Sequence, residues 1–311
     1  LEAGAATAGI RATSKEGVLD GTFSLSVDGG QLRLGDAAGL LGFSGTVVVS
    51  SRPFEFERVP LFDIPALLTG EMKLDLRVDK LKTLEKLFSL PAGGKIEGGS
   101  ATATVRLAAK GGLADGKVAL AVKNAAVRTK EYRLHGDATV ELPIRRWKLS
   151  SGSYDVSGTH VALSNIYSTG DDPTRNWWGT IDVPSGRVGK TISAQPTLRC
   201  RDARPLLALL GVKLPPWTNG LVKLDNFSAT ANLTAAPATL RVTGLDAKGG
   251  TFHILGQFTQ DGTAGNGAFL VESGILLLGI EVVPPKPAKV RLLLAKQWYE
   301  KQVKAPAAAG R

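Results

Sequence analysis

The feature that most constrains this chain is a period-two alternation of apolar and polar residues along nearly its whole length. Phe23-Ser24-Leu25-Ser26-Val27 is followed by Asp28-Gly29-Gly30 and then by Gln31-Leu32-Arg33-Leu34. Successive side chains of a strand point to opposite faces, so each such stretch has one apolar and one polar face. The intervening Asp-Gly-Gly reads as a tight turn. The same pattern returns at Thr46 to Ser50, Phe54 to Glu57, Met72 to Val78, Ala101 to Leu107, Lys117 to Val122 and Ala138 to Leu142. It continues at His160 to Leu163, Gly179 to Val183, Thr239 to Val242, Phe252 to Phe258 and Ala268 to Val271. Turn-forming residues separate most of these stretches, as in an all-β array.

Helical spacing is confined to three places. Leu81, Leu84, Leu87 and Phe88 fall on one side of a helix over residues 80–89. Leu206, Leu207, Leu209 and Leu210 form a second short piece within 203–211, opened by Asp202 and Pro205, residues suited to an N-cap and a first turn. Lys289 to Val303, with Leu292, Leu293, Trp298 and Tyr299, is the third candidate.

Landmarks also recur. Asp79 before a Leu-rich piece, then Leu90-Pro91, Gly98 and a strand, are matched by Asp202, Leu214-Pro215, Gly220 and a strand, at offsets of 122 to 124 residues. Gly136 and Gly256, each closing an aromatic-containing strand, lie 120 apart. A duplicated β unit of about 120 residues with a short helical plug accounts for this order. The segments that follow are 1–70, 71–198 with its helix, 199–288 with its helix, and a C-terminal helix and tail over 289–311.

The net charge of +10 is dispersed, with Lys and Arg alternating with apolar residues as in Lys73-Leu74-Asp75-Leu76-Arg77-Val78. That reads as a solvated strand face, with attraction to anionic lipid headgroups or polyanions as the functional alternative. No basic cluster interleaves with aromatics, which speaks against nucleic-acid binding. A lone cysteine, Cys200, excludes an intrachain disulfide and a thiolate metal cluster. Met72 is the only methionine, and neither a signal peptide nor a run of 18 apolar residues is present in these 311 residues.

Residues suited to catalysis do not assemble. His135, His160 and His253 sit in alternating stretches and read as strand-face residues, with no Gly-x-Ser-x-Gly elbow to serve. Asp171-Asp172 lies among Gly and Pro as loop material, with a weak calcium site as the alternative. Ala92-Gly93-Gly94-Lys95 lacks phosphate-loop spacing. Gly274-Ile275-Leu276-Leu277-Leu278-Gly279-Ile280 reads as a buried or groove-lining strand. Trp177-Trp178 offers either a partner contact or one core and one surface ring. No catalytic residue, metal or cofactor is expected.

The Asp before a short Leu-rich helix, the following Gly and alternating strands, and Gly250-Thr251-Phe252-His253-Ile254-Leu255-Gly256 resemble the AsmA-like and TamB-like proteins of Gram-negative envelopes. These are similar in build to the bridge-like lipid-transfer proteins. The resemblance spans roughly residues 70 to 300. It implies a periplasmic sheet curled into a groove with an apolar floor, phospholipid acyl chains as cargo, and an inner-membrane anchor that this chain does not contain.

The expected fold is all-β: an elongated, twisted, mostly antiparallel sheet curled into an open groove, with short helical plugs. Alternation by itself is served equally by a closed core and by an open trough. Aromatics are only 6% of the chain, and stretches such as Ser100-Ala101-Thr102-Ala103-Thr104 offer only Ala to one face, which favours the trough. The expected lining is Leu74, Leu76, Val78, Ala101, Ala103, Val105 and Leu107, with Ala229, Ala231 and Leu233 in the second copy. The expected function is non-enzymatic binding or conduction of phospholipid between inner and outer membrane. The alternative is a scaffold that docks an outer-membrane protein through an exposed strand edge.

Overall fold

The computed structural model describes residues 3–15, 18–33, 40–55, 58, 67–87, 94–128, 133–169, 177–203, 225–262, 264–284 and 288–304. The chain is all-β, and its strands pair antiparallel. It divides into two compact units, Leu1–Trp178 and Gly179–Arg311.

The first unit contains β1 (Ala3–Lys15), β2 (Val18–Arg33), β3 (Leu40–Ser51), β4 (Phe54–Glu55), β5 (Leu68–Val78), β6 (Lys95–Lys110), β7 (Leu113–Arg128), β8 (Arg133–Lys148), β9 (Ser153–Asp155) and β10 (Thr159–Thr169). Its main ladder runs β1-β2-β3-β5-β6-β7-β8-β10. The short β4 pairs with the start of β2, and β9 with the end of β8. Sequence neighbours are nearly always ladder neighbours, as expected where short turns join the strands.

Cross-strand register turns the alternation of each strand into two continuous faces. One row reads Ala6, Val27, Gly45, Leu74, Val105, Val118, Leu142. The next on that face reads Leu76, Ala103, Leu120, Val140, Val161. Between them, on the opposite face, lies Asp75, Thr104, Ala119, Glu141, His160. There the Arg106 Nη2 donates to both Asp75 carboxylate oxygens at 2.9 Å, and Lys117 Nζ to Glu141 Oε2 at 2.9 Å. Pairs exposed like these are screened by water and contribute little to stability.

The strands are longer than the periodic stretches suggested, because bulges interrupt the alternation without ending the strand. Asp28-Gly29-Gly30 does not form the expected turn. It lies inside β2, where Gly29 takes φ 59° and the register against β3 shifts between Val27 and Gly30. Gly99 (φ 109°), Asn124 (φ 50°) and Asn165 (φ 54°) mark similar shifts in β6, β7 and β10. Asn is among the few non-glycine residues that take this left-handed backbone readily. Each bulge bends its strand and increases the local twist, which curls an antiparallel sheet. The Asn124 bulge is held from the neighbouring strand: Asp137 Oδ1 accepts from the Asn124 N–H at 2.8 Å, and its Oδ2 from Asn165 Nδ2 at 2.7 Å.

The first expected helix is a 3-10 helix, Leu81–Leu87. Leu81 enters a cluster with Val78 and Ala101, against which Ile96, Leu120, Val122 and Ala125 pack. A Cβ at Gly99 would lie 2.9 Å from the Leu81 Cδ1, so glycine permits this approach. The side chains of Leu84, Leu87 and Phe88 lie outside the described residues.

The second unit contains β11 (Trp177–Val183), which starts at the boundary, then β12 (Gly186–Val188), β13 (Ile192–Ala194), β14 (Thr197–Asp202), β15 (Asp225–Ala236), β16 (Thr239–Gly249), β17 (Phe252–Asp261), β18 (Ala264–Ser273), β19 (Leu276–Val282), β20 (Lys289–Arg291) and the helix α1 (Ala295–Lys304). β13 and β14 both pair with β15, β11 with β14, and β15 to β20 form a meander. Residues 289–291 are strand rather than the start of the third helix, because they pair with Gly279–Glu281; the helix begins only after Leu294. The helix expected at 203–211 lies outside the described residues apart from Ala203, and the 120-residue repeat is not confirmed.

Candidate functional site

Seven of the ten expected lining residues form one patch on the first unit's sheet. Register pairs Leu74 with Val105, Leu76 with Ala103 and Val78 with Ala101, and Leu107 pairs with Met72. Val78 and Ala101 are buried beside Leu81, whereas Leu74, Leu76, Ala103, Val105 and Leu107 are only half-buried. Lys73 and Arg77 are exposed on the other face; Asp75, paired with Arg106, is half-buried. In the second unit Ala229 and Leu233 lie on one face of β15, paired with Ala247 and Val242 of β16. Ala231 sits between them, where the register shifts opposite Gly244 (φ 60°).

The patch extends beyond the residues singled out from the sequence. Val118, Leu120 and Val122 of β7 and Leu142 of β8 continue it on one side, and Phe43, Val47 and Leu25 on the other. Among the described residues of this unit, substantial packing joins only ladder neighbours, apart from the 3-10 helix against β6. Apart from Val78 and Ala101 beside Leu81, the expected lining residues on this face keep part of their surface in water. A depression of about 460 Å³ lies where β2, β3, β5 and β6 adjoin, but Asp28, Ser44, Asp75, Arg77, Thr102 and Thr104 line it along with Gly30, Phe43, Leu76 and Ala103, so it does not belong to the apolar face alone. The Phe43 ring lies across Gly30, an approach glycine permits, since a Cβ there would be 2.6 Å from the ring.

Groups able to do chemistry are scattered. His135 stacks on Tyr167 with ring centroids 4.9 Å apart, His160 lies opposite Glu141, and His253 sits between Asp246 (2.9 Å) and Glu272 (3.4 Å). Among the described residues no group of three or more His, Cys, Asp or Glu is placed to hold a metal ion. Asp171 and Asp172 lie outside them. Burial pushes the Cys200 thiol up to about 11, with the negative Asp202 adding to the effect, so it is not a thiolate at neutral pH. Asp137, Asp155 and Glu141 are lowered below the usual carboxylate range, respectively by Asn165, Ser157 and Lys117. Carboxylates held ionised in this way suit surface hydrogen bonding rather than proton donation. Of the tandem tryptophans, Trp177 is 2% exposed and Trp178 45%, one to each face as strand alternation requires.

Sequence reasoning missed one apolar surface, at the end of the second unit. Ile275, Leu292, Leu293 and Leu294 are all largely exposed, although helical spacing predicts a helix through the leucines and the apolar run a strand through Ile275. No helix among the described residues is long and apolar enough to cross a membrane. Comparison of the chain with protein-family models, with curated proteins and with solved structures returned no match.

Proposed function

We propose that this chain is a non-enzymatic segment of a periplasmic β-groove protein of the AsmA-like kind, which binds or conducts phospholipid between inner and outer membrane. The observation that supports this reading is the apolar face of β2 to β8, continuous over strand after strand and largely half-buried, with Leu81 packed at one end. Such a face in water is unfavourable unless something apolar lies against it. An acyl chain laid along it gains about 0.8 kcal/mol per buried CH₂. The many Ala and Gly on this face leave room for that chain, while Lys73, Arg77 and Lys117 keep the outer face in water.

The test is a photo-crosslinking residue at Ala103 or Ala231, with one at Lys117 as the control. Phospholipid captured at the first two sites and not at Lys117 is the expected result. Ala103→Asp should block passage without unfolding the protein, since an unpaired charge in a trough wide enough for water stays hydrated. Crosslinks to protein alone, or outright unfolding by Ala103→Asp, would instead indicate a closed core. The scaffold reading has its own support in β1, whose residues Ala5 to Thr13 are exposed and which pairs with β2 alone among the described strands. Pairing of a partner strand along β1 would satisfy its free backbone edge.

A further inference from the structure

We propose that the second unit docks on an anionic lipid surface through an apolar knuckle made by the β18–β19 turn and the link from β20 to α1. Ile275 at the turn is fully exposed, Leu293 is 87% exposed, and Leu292 and Leu294 are 68% and 70% exposed. Antiparallel pairing of β20 with β19 carries the chain after Arg291 towards that turn, which gathers these residues at one end of the meander. Leu294 takes φ 54°, a backbone that leucine adopts only at a cost, and its carbonyl then accepts from the Trp298 N–H as α1 begins. The chain thus turns sharply and leaves three consecutive leucines in water, with no packing of their own to account for it.

The surroundings select the occupant. From Lys289 to Lys304 the chain carries Lys289, Lys296, Lys301 and Lys304 against one acid, Glu300, besides Arg291, which pairs with Glu281. The acids on the adjacent strands are engaged: Glu281 by Arg291 at 3.3 Å and Glu272 by His253 at 3.4 Å. Arg291 also lies over the Trp298 ring at 5.3 Å, which places an amphipathic ring beside the knuckle. Leucines to enter the acyl boundary, Trp at the headgroup level and a basic rim are the parts of an interfacial anchor. A second copy of the chain would bring the same positive rim against itself, which disfavours self-association through this patch. The inference concerns surface attachment and does not depend on whether the groove carries lipid.

Ile275→Cys gives a specific labelling site, since Cys200, the only other thiol, is buried. With an environment-sensitive fluorophore there, vesicles of phosphatidylcholine containing about one-third phosphatidylglycerol should produce a blue shift. Vesicles of phosphatidylcholine alone should produce a much smaller one, and added salt should weaken the anionic response. In co-sedimentation, Ile275→Glu combined with Leu293→Glu should lower partitioning onto the anionic vesicles about tenfold or more. Should the double variant lose its circular dichroism spectrum, Ile275→Ser with Leu293→Ser serves instead. Three results would overturn the proposal: wild-type protein that stays in the supernatant at low salt, a folded variant that sediments like wild type, or a dimer that the substitutions dissolve in the absence of any vesicle binding. Lipid capture at Ala103 is read separately, so failure here leaves the groove reading intact.

Discussion

The two units use the same strand chemistry and reach different packing. In the first, the register gathers Leu74, Val105, Val118 and Leu142 on one face and leaves most of that face half-buried. In the second, α1 packs on β18 and β19 and creates a small conventional core on one face: Leu270 is 2% exposed and Ala295 1%. A Cβ at Gly279 would lie 2.7 Å from the Trp298 ring, so the helix is seated directly on the sheet there. The opposite face of the same strands carries Ile254, Phe269, Val271 and Leu278. An antiparallel sheet thus becomes a packed core or an open apolar surface according to whether a helix lies on it, with little change in the strands themselves.

The comparison predicts unequal responses to the same substitution. Leu270→Ala, beneath α1, should cost about 3 kcal/mol or more, because it removes a fully packed side chain and leaves a cavity. Leu74→Ala, on the open face, should cost about half of that, since its side chain is already partly in water. Chemical denaturation of both variants checks this; equal losses would mean that the face of the first unit is as well packed as the core under α1.

Gly279→Val is the next in size. The added carbons have no space against Trp298, and about 1–3 kcal/mol of overpacking should lift α1 from the sheet. Tyr299, whose phenol is raised by burial, should then titrate closer to an ordinary tyrosine, as followed by ultraviolet absorbance. In the wild type the contribution of the buried neutral phenol is present below the ordinary tyrosine pKa and is lost as pH rises through the raised one.

A smaller effect is expected at the bulge of the first unit. Asp137→Ala removes the acceptor for both the Asn124 N–H and the Asn165 amide, and should cost about 1 kcal/mol once solvent screening is allowed for. Because its hydrogen bonds lower the Asp137 pKa, this contribution is present above the ordinary carboxylate pKa and lost as pH falls through the lowered one. Thermal melts of wild type and variant should therefore converge in acid. Lys117→Ala, at the exposed pair with Glu141, should leave the melting temperature nearly unchanged. A larger loss would show that the charged face contributes more than solvation.

How much was legible follows from where alternation persists. Leu74, Leu76 and Val78, and Ala101 to Leu107, keep strict period two, and their common face could be read without the structure. At Asp28-Gly29-Gly30 the sequence has the composition of a turn, yet β3 pairs with both flanks and makes it a bulge. A local signal cannot choose between the two, because the choice depends on which strand lies alongside. Leu292-Leu293-Leu294 misled for a related reason: three leucines beside Trp298 and Tyr299 suit a helix face, but pairing of Val290 with Ile280 starts the segment as a strand and delays the helix to Ala295.

The sequence by itself determined that the chain is all-β, which side of each regular strand is apolar, and that its positive charge is spread along the outward faces, because side-chain alternation and solvation are properties of a single strand. The tertiary structure decided which strands adjoin, where bulges bend them, that a 3-10 helix covers one end of an apolar face in the first unit and α1 packs on β18 and β19 in the second, and which leucines stay in water. Those outcomes depend on register and on contacts between residues distant in the chain, and no residue carries them alone.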